Sequence, residues 1–438
     1  MRFTAGEIAN VVDGTLDGPD IDIDGACHDS REIVGGELFV PLVDQRDGHD
    51  FITVALDAGA GAYFTAREPV GGTAIRVDDP ALALARLGAH ARGRLPDRVV
   101  GITGSVGKTS CKDLTAAAVG RRFETSASLR SFNNEYGVPL TLVNASPTTE
   151  ASVIEMGARG LRHIANLCAI ADPTVGVVTA VDAVHTEMFG NIEQVAVAKG
   201  ELVEHLSASG TAVLNDANPF VAAMADRTVA TVLRYGSDRS EIRASQVTLD
   251  DELRAAFHLH TPWGDAPVQL AIRGEHHVGN ALAAAAAALA VGVPLDDVAA
   301  GLGDAELSPW RMDLRVAASG ARILNDAYNA GPASMDAALR ALVRLDAVRH
   351  LAILGPMAEL GEHSDVAHRR IAELAADLGV QIVAVGAPEY DALTVEHVAD
   401  QAAALAAIEP LRAADAVLVK GSRVAGLERL AQRLVDPD

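Results

Sequence analysis

The stretch that decides the fold is Gly101-Ile102-Thr103-Gly104-Ser105-Val106-Gly107-Lys108-Thr109-Ser110. The apolar residues Val99 and Val100 before it predict a short buried strand, and the residues after it predict a helix. A strand, a glycine-rich turn and a helix that opens on Lys-Thr are typical of a P-loop. Its backbone N–H groups, helix N-terminus and lysine surround phosphate oxygens. We therefore predict that the chain binds a nucleoside triphosphate, through the backbone and side chains of Gly104, Ser105, Val106, Gly107, Lys108, Thr109 and Ser110.

Length and composition limit the classes of protein that the chain can represent. Its 438 residues exceed one ordinary domain, and 49% hydrophobic with 22% charged residues is typical of a globular protein with ample core. A formal net charge of −23 argues against non-specific binding to nucleic acid or to anionic membranes. No membrane-spanning run or signal-peptide pattern is evident, so we expect a cytoplasmic protein without membrane insertion.

The use of lysine is unusual. Among 36 lysines and arginines, only Lys108, Lys112, Lys199 and Lys420 are lysines. Because this chain otherwise uses arginine for its cations, some of these lysines are expected where a guanidinium group cannot do the same chemistry. The P-loop explains Lys108, which leaves Lys199 and Lys420 as candidates. The alternative for each is an ordinary surface lysine.

The pattern of strands and helices divides the chain into three α/β domains. Residues 1–97 carry short strands and helices and end in a polar linker that contains Pro96. Residues 98–307 alternate strands with helices, which predicts a parallel sheet, and a period of about two over residues 241–272 predicts antiparallel hairpins added to its edge. Beyond the linker at Ser308, residues 308–438 return to the alternation, which indicates a small Rossmann-like domain.

Polar residues follow the predicted strands of the central segment. Glu155 ends an apolar strand beside the P-loop, where a carboxylate can hold Mg²⁺. His185 follows the next strand, and Lys199 lies on a helix near the same edge. A generic strand-end acid and a solvated loop histidine are the alternatives. We expect no zinc site at the adjacent histidines 276 and 277, because their side chains diverge on a helix.

Seven blocks, taken in order, resemble the Mur ligase family across essentially the whole chain. They are SFNNEYGVPLTL (131–142), VIEMGA (153–158), AVHTEMFG (183–190), AKGE (198–201), NDAYNAGPASMDAAL (325–339), GPMAELGE (355–362) and VLVKGS (417–422). The resemblance is strongest to the subfamily that adds D-alanyl-D-alanine to UDP-N-acetylmuramoyl-tripeptide. It implies a UDP-substrate domain at residues 1–97, an ATP-binding domain at residues 98–307 and an amine-substrate domain at residues 308–438.

The resemblance also implies roles for individual residues around ATP. Thr109 and Glu155 would bind one Mg²⁺, while His185 and a carbamylated Lys199 would hold a second. The other implied contacts are Asn280 for the nucleoside, Arg311 and Asp326 for the phosphates and ribose, and Asn133 and Asn134 beside the reacting acyl phosphate.

Two further groups of residues are implied to hold the substrates. The UDP end would be held by Ser30, Arg31, Asp47 and His49, and the dipeptide side would be lined by Tyr328, Asn329, Glu359, Lys420 and Ser422. The residues alone leave Ser30 and Arg31 open between an anion grip and a surface turn. Three positions depart from the family pattern, namely His277, Gly331 and Pro356, and the last two affect the presumed dipeptide side.

The implied activity is ATP-dependent amide ligation in peptidoglycan precursor synthesis by a monomer, with Lys108, Asn133, Asn134, His185 and Lys199 as the catalytic residues. The rivals are another ligase of the same fold (diamino-acid-adding, folylpolyglutamate or natural-product) and a P-loop regulatory NTPase that performs no ligation. The regulatory alternative leaves the predicted second-metal pair and the Lys420 loop unexplained.

Overall fold

The computed structural model describes residues 1–43, 45–182, 189–392 and 394–436. Its N-terminal part is built on a five-stranded sheet in the order β2-β7-β6-β5-β4, beside the antiparallel pair β1–β3. The elements are β1 (Arg2–Thr4), α1 (Ala5–Val11), β2 (Thr15–Asp17), β3 (Asp22–Asp24), β4 (Ala26–Cys27), β5 (Leu38–Phe39), a 3₁₀ turn (Gly48–Phe51), α2 (Ile52–Asp57), β6 (Ala62–Thr65), β7 (Ala74–Arg76) and α3 (Pro80–Arg92).

The central part is a six-stranded sheet in which every strand pair is parallel, in the order β13-β12-β11-β8-β10-β9. This confirms the predicted parallel sheet with crossover helices. The elements are β8 (Val99–Thr103), α4 (Lys108–Gly120), β9 (Thr125–Ala127), α5 (Gly137–Val143), β10 (Ala151–Glu155), α6 (His163–Ala171), β11 (Val175–Val178), α7 (Ile192–His205), β12 (Thr211–Asn215), α8 (Pro219–Ala222), a 3₁₀ turn (Ala223–Arg227) and β13 (Thr231–Tyr235).

Residues 243–273 are antiparallel, as predicted, but they form a sheet of their own instead of lengthening the parallel one. The strands are β14 (Arg243–Leu249), β15 (Arg254–Thr261) and β16 (Gly264–Arg273), and a bridge between Tyr235 and Ile242 joins them to β13. Their buried faces pack with α9 (His277–Ala290) and α10 (Leu295–Gly303). Residues 281–289 of α9 are all buried, since alanine lets this helix approach α4 closely.

The C-terminal part is a six-stranded sheet in the order β17-β18-β22-β19-β20-β21, parallel except for the edge strand β17. Its strands alternate with helices along the chain, as predicted for a small Rossmann-like domain. The elements are β17 (Asp313–Val316), β18 (Arg322–Asn325), α11 (Pro332–Leu342), β19 (Arg349–Leu354), a 3₁₀ turn (Gly361–His363), α12 (Ser364–Asp377), β20 (Gln381–Val385), β21 (Val395–Val398), α13 (Gln401–Ile408), β22 (Asp415–Lys420), a 3₁₀ turn (Arg423–Ala425) and α14 (Glu428–Val435).

The three parts are packed so that the strand ends of the second and third face one another. Helix α3 starts at Pro80, is capped by the Asp79 carboxylate and buries Leu84 and Leu87 toward α5 and α6 of the central part. The loops after β8, β10, β18 and β22 meet around one cavity. Among the helices of the described residues, none is long and apolar enough to cross a membrane.

Candidate active site

The P-loop has the backbone geometry that its glycines predict. Gly107 has φ +82° and lies immediately before α4, a conformation that side-chain-bearing residues rarely adopt. Gly104 has φ +150°, and a Cβ there would lie 1.9 Å from Oγ1 of Thr179 on the loop after β11. Gly104 therefore lets the turn pack against the loop after β11, whereas residues 105–110 line the cavity.

Lys108 folds back over the P-loop. Its Nζ donates to the carbonyl oxygens of Gly104 (2.7 Å) and Ser105 (3.4 Å). Burial lowers the pKa of this ammonium, while the charge of Glu155 opposes that shift. Thr109 is 4% exposed at the first turn of α4. The lysine and the threonine hydroxyl thus stand at the positive end of a helix, where phosphate is favoured.

Glu155 ends β10, directly beside β8 and the P-loop. Its Oε1 accepts a hydrogen bond from Nδ2 of Asn133 at 2.7 Å, and its Oε2 is buried with no partner among the described residues. Burying an ionised carboxylate oxygen costs folding free energy unless a cation or a hydrogen-bond donor pairs with it. The candidate ligand atoms here, the Thr109 hydroxyl and the Glu155 carboxylate, are oxygens, which are the ligands that Mg²⁺ prefers.

Asn134 takes part in the local fold as well as lining the cavity. Its side-chain oxygen accepts from the backbone N–H of Gly137 at 2.8 Å, at the start of α5. The amide of Asn133 contacts Glu155, whereas that of Asn134 contacts the start of α5. Their contact with a reacting acyl phosphate remains a prediction.

Lys199 lies on α7 and is 2% exposed, although its side chain reaches the cavity lining. Burial, and secondly the charge of Lys108, lowers the pKa of its ammonium to about 7, and Glu201 partly opposes the shift. A large fraction of the amine is therefore neutral near physiological pH. Its predicted partner His185 lies outside the described residues.

The C-terminal part contributes Arg311 and Tyr328 across the interface. The guanidinium of Arg311 stacks on the Tyr328 ring at 4.1 Å, and the Tyr328 hydroxyl donates to the hydroxyl of Ser131 in the central part. Oδ1 of Asp326 accepts from the backbone N–H of Met312 at 3.1 Å, which fixes the linker beside Arg311. These contacts join the two parts over the P-loop.

Lys420 and Ser422 organise the acceptor side of the cavity. Lys420 is 2% exposed; its Nζ pairs with Oδ2 of Asp326 and donates to the carbonyl oxygen of Asn329 at 2.9 Å. The Ser422 hydroxyl accepts from the N–H of Ala358 at 2.8 Å. Lys420 is therefore a buried structural cation, not a surface lysine, and it holds two of the loops that carry predicted dipeptide contacts.

One cavity of about 810 Å³ collects these groups. Three buried polar atoms that line it have no partner among the described residues: Oε2 of Glu155, Nε2 of His277 and Nε of Arg311. Nδ1 of His277 accepts from the Asn280 amide at 3.1 Å, so the neutral ring carries its proton on Nε2. Two unpaired donors and one unpaired anion are what a bound nucleotide and its cation would satisfy.

The cavity brings together most of the predicted residues, and His185 is the one predicted residue that lies outside the described part of the chain. Those that line it are Ser105, Val106, Gly107, Lys108, Thr109, Ser110, Asn133, Asn134, Glu155, Lys199, Asn280, Arg311, Asp326, Tyr328, Asn329, Glu359, Lys420 and Ser422. Those that do not line it are Gly104, Ser30, Arg31, Asp47 and His49.

The predicted UDP contacts are engaged within the N-terminal part instead. Oδ1 of Asp47 accepts from the backbone N–H and pairs with Nδ1 of His49 (3.0 and 2.8 Å), while Nε2 of His49 accepts from Ala66. The guanidinium of Arg31 is 86% exposed and pairs with Asp29, holding the pKa of that carboxyl down at about 2. These bonds shape two turns, and substrate contact by these residues remains a prediction.

A second cavity of about 380 Å³ adjoins the first, between the N-terminal and central parts. His28 and Phe132 line both cavities, and their rings meet edge to face at 5.8 Å between centroids. Sequence reasoning missed His28, Phe132 and Ser131 as lining residues. His28 stands directly before the predicted Asp29-Ser30-Arg31 turn and Phe132 directly before Asn133, so proximity to predicted residues was the available signal.

The comparisons with known proteins agree with this arrangement. The Mur ligase middle domain matches residues 102–288, and the Mur ligase, glutamate ligase domain matches residues 310–423. The UDP-N-acetylmuramoyl-tripeptide--D-alanyl-D-alanine ligase of Mycobacterium tuberculosis is 39% identical, with 100% of this chain and 98% of the relative covered.

Solved structures show the same likeness in three dimensions. A crystal structure of MurF from Acinetobacter baumannii matches with a TM-score of 0.90 at 28% identity, covering 100% of this chain and 99% of that one. MurF from Thermotoga maritima in complex with ADP matches at 0.81 and 26% identity, covering 94% and 96%. Similarity of this extent over the whole length shows that the chain belongs to the Mur ligase family.

Proposed function

We propose that the chain is an ATP-dependent ligase that joins D-alanyl-D-alanine to UDP-N-acetylmuramoyl-tripeptide. The observation that carries this proposal is a single cavity in which the P-loop and Glu155 face the acceptor loops around Asn329 and Lys420. A regulatory NTPase would have no use for the second half of that cavity. The full-length relative from Mycobacterium tuberculosis bears the name of this reaction.

The first step joins two anions. A terminal carboxylate oxygen of the tripeptide attacks the γ-phosphorus of ATP, the bond to the bridging oxygen of ADP breaks, and an acyl phosphate forms. Lys108 and Arg311 supply positive charge for the phosphates, and the helix N-terminus at Thr109 adds to it. The unpaired Nε of Arg311 and Nε2–H of His277 are available to the nucleotide.

The second step transfers the acyl group. The free amine of D-alanyl-D-alanine attacks the acyl carbon, a tetrahedral intermediate loses phosphate, and an amide forms. Exclusion of water matters here because water would hydrolyse the acyl phosphate. The Tyr328–Ser131 bond and the Arg311 stack join the two parts over the P-loop, where the reacting carbon would lie, and the loops of Asn329 and Glu359 would lie on the amine side.

The residues present fit Mg²⁺. Thr109 and the unpaired Oε2 of Glu155 would hold one ion. Carbamylated Lys199 and His185 would hold a second, with His185 outside the described residues. Bound Mg²⁺ would neutralise charge on the transferring phosphoryl group. The Asn133 amide fixes Oε1 of Glu155, so that Oε2 is the oxygen presented to the cation.

Carbamylation would make Lys199 an anionic ligand. A neutral amine adds to CO₂ through a new N–C bond and releases a proton, which leaves an N-carboxylate on the side chain. The lowered pKa of about 7 favours the neutral amine that this addition requires. An arginine could not be modified in this way, which explains why a lysine occupies the position in an arginine-rich chain.

The cavity lined by His28 and Phe132 extends the site toward the N-terminal part. We propose that the UDP end of the substrate lies there, next to the turn of Ser30 and Arg31. The tripeptide would then run past Phe132 to the P-loop, which places its terminal carboxylate near Asn133.

The proposed reaction is tested by phosphate release from ATP. We expect release only when UDP-N-acetylmuramoyl-tripeptide and D-alanyl-D-alanine are both present, because the acyl phosphate needs both a carboxylate and an amine to turn over. Malachite-green detection and mass spectrometry of the product would measure it. Release without either substrate would favour a regulatory NTPase, and activity only with another amine would change the acceptor.

Replacing Glu155 with Gln should lower kcat by about 100-fold, the scale for loss of one electrostatic contact in the transition state. The substitution keeps an oxygen for Asn133 but removes the charge at the unpaired position. The Mg²⁺ concentration for half-maximal activity should also rise. Glu396→Gln removes the same charge from an exposed strand position and should leave both values unchanged. A Glu155→Gln enzyme within threefold of wild type would contradict the assignment.

Lys199→Ala should lose nearly all activity and regain part of it in acetate, since a small carboxylate can replace the carbamate. Ethylamine should not restore it. Wild-type activity without added bicarbonate should fall as the pH drops below about 7, because protonation removes the neutral amine. Full activity of Lys199→Arg, or rescue by ethylamine in place of acetate, would exclude the carbamate.

A further inference from the structure

Lys112 is the one lysine of the chain that the proposed reaction does not use. It lies on α4, one turn after Lys108, and is 3% exposed. Its Nζ donates to the carbonyl oxygens of Ser128 (2.9 Å) and Arg130 (3.2 Å) and pairs with Oδ1 of Asp113 (2.6 Å). Three acceptors therefore meet the three donors of one ammonium group.

One of these acceptors belongs to a strained residue. Arg130 has φ +53°, the left-handed region that is unfavourable for a residue with a side chain. Its carbonyl oxygen turns toward Lys112 in that conformation. A left-handed non-glycine residue persists where its surroundings stabilise it. Here the Phe132 N–H donates to the Leu129 carbonyl oxygen at 3.0 Å across the turn, and the Lys112 ammonium group holds the Arg130 carbonyl oxygen itself.

The turn at Arg130 orients the segment 128–134 toward the proposed active site. The Ser128 hydroxyl accepts from the backbone N–H of Glu155 at 3.0 Å, Ser131 accepts from Tyr328, and Asn133 donates to the Glu155 carboxylate. This one segment thus contacts Glu155 both at its backbone amide and at its carboxylate, and it contacts the C-terminal part through Ser131. A small change at Arg130 would move all three contacts.

Asp113, the partner of Lys112, reaches the linker. Its Oδ2 accepts from the backbone N–H of Ser308 at 2.7 Å and its Oδ1 from the Ser308 hydroxyl at 3.2 Å. Ser308 begins the linker that carries Arg311. The buried pair Lys112–Asp113 therefore connects the P-loop helix to both the 128–134 segment and the linker.

We propose that Lys112 is a positioning residue that holds Arg130 in the left-handed conformation, and so sets Asn133 on Glu155 and Ser131 on Tyr328 for phosphoryl transfer. The expected effect of Lys112 on kcat rests on the proposed function. Lysine suits the position because its three donors diverge from one atom, whereas the planar guanidinium fork of arginine directs its donors within one plane.

The test uses Lys112→Met, which keeps the length of the side chain and removes the charge. We expect kcat to fall about tenfold or more, with a smaller change in KM for ATP, since the P-loop itself is intact. Adding Arg130→Gly should restore a substantial part of kcat, because glycine adopts positive φ without cost. Asp13→Gly is the matched control: Asp13 also has positive φ (56°), but it lies in the N-terminal part and should restore nothing.

Hydrogen exchange gives a readout that does not depend on which amine substrate the enzyme uses. Backbone amides of residues 128–137 should exchange faster in Lys112→Met and return toward the wild-type rate with Arg130→Gly. If wild type fails to ligate D-alanyl-D-alanine, the proposed function fails, while the exchange result still decides the role of Lys112. Should Lys112→Met not fold, Lys112→Gln, which retains a donor, takes its place.

Two results would overturn the inference. One is a Lys112→Met enzyme with kcat within twofold of wild type and unchanged exchange over residues 128–137. The other is a loss of kcat that Arg130→Gly does not relieve any better than Asp13→Gly, because Lys112 would then act through the general stability of the core and not through the turn.

Discussion

Repulsion between two anions is the constraint on which the rest of this site depends. A carboxylate must approach a triphosphate, and it must do so in a chain with a formal net charge of −23. The chain meets the constraint locally, because Lys108, Lys420 and Arg311 all line one cavity. Positive charge held by a preorganised, partly buried framework acts more strongly there than it would in water.

The same cations must be held apart and oriented, which explains the acids between them. Asp326 pairs with Lys420 and also accepts from the backbone N–H of Met312, so one carboxylate joins the acceptor loops to the linker. Asn133 leaves one oxygen of Glu155 unpaired. Each of these contacts joins separate loops of the chain, so the cavity forms only when the central and C-terminal sheets are complete and face one another.

The sequence was enough to predict the P-loop, the parallel sheet and the position of Glu155, because these follow from local patterns and from the rule that ligands collect at strand ends. The scarcity of lysine also pointed to Lys199 and Lys420. By contrast, the turn at Arg130 and the internal bonding of Asp47 and His49 depend on residues distant in the chain, such as Lys112 and Ala66. The separate antiparallel sheet of residues 243–273 likewise follows from packing against α9 and α10, which a periodicity of two does not encode.

In the proposed reaction, the γ-phosphoryl group of ATP is transferred onto a substrate carboxylate before the amide forms. The most direct measurement uses tripeptide substrate with both oxygens of its terminal carboxylate labelled with ¹⁸O, followed by mass spectrometry of the released phosphate. Each released phosphate should carry one ¹⁸O atom, and the amide product should retain the other. Unlabelled phosphate accompanying product formation would show that the carboxylate never attacked phosphorus, and would contradict an acyl-phosphate intermediate.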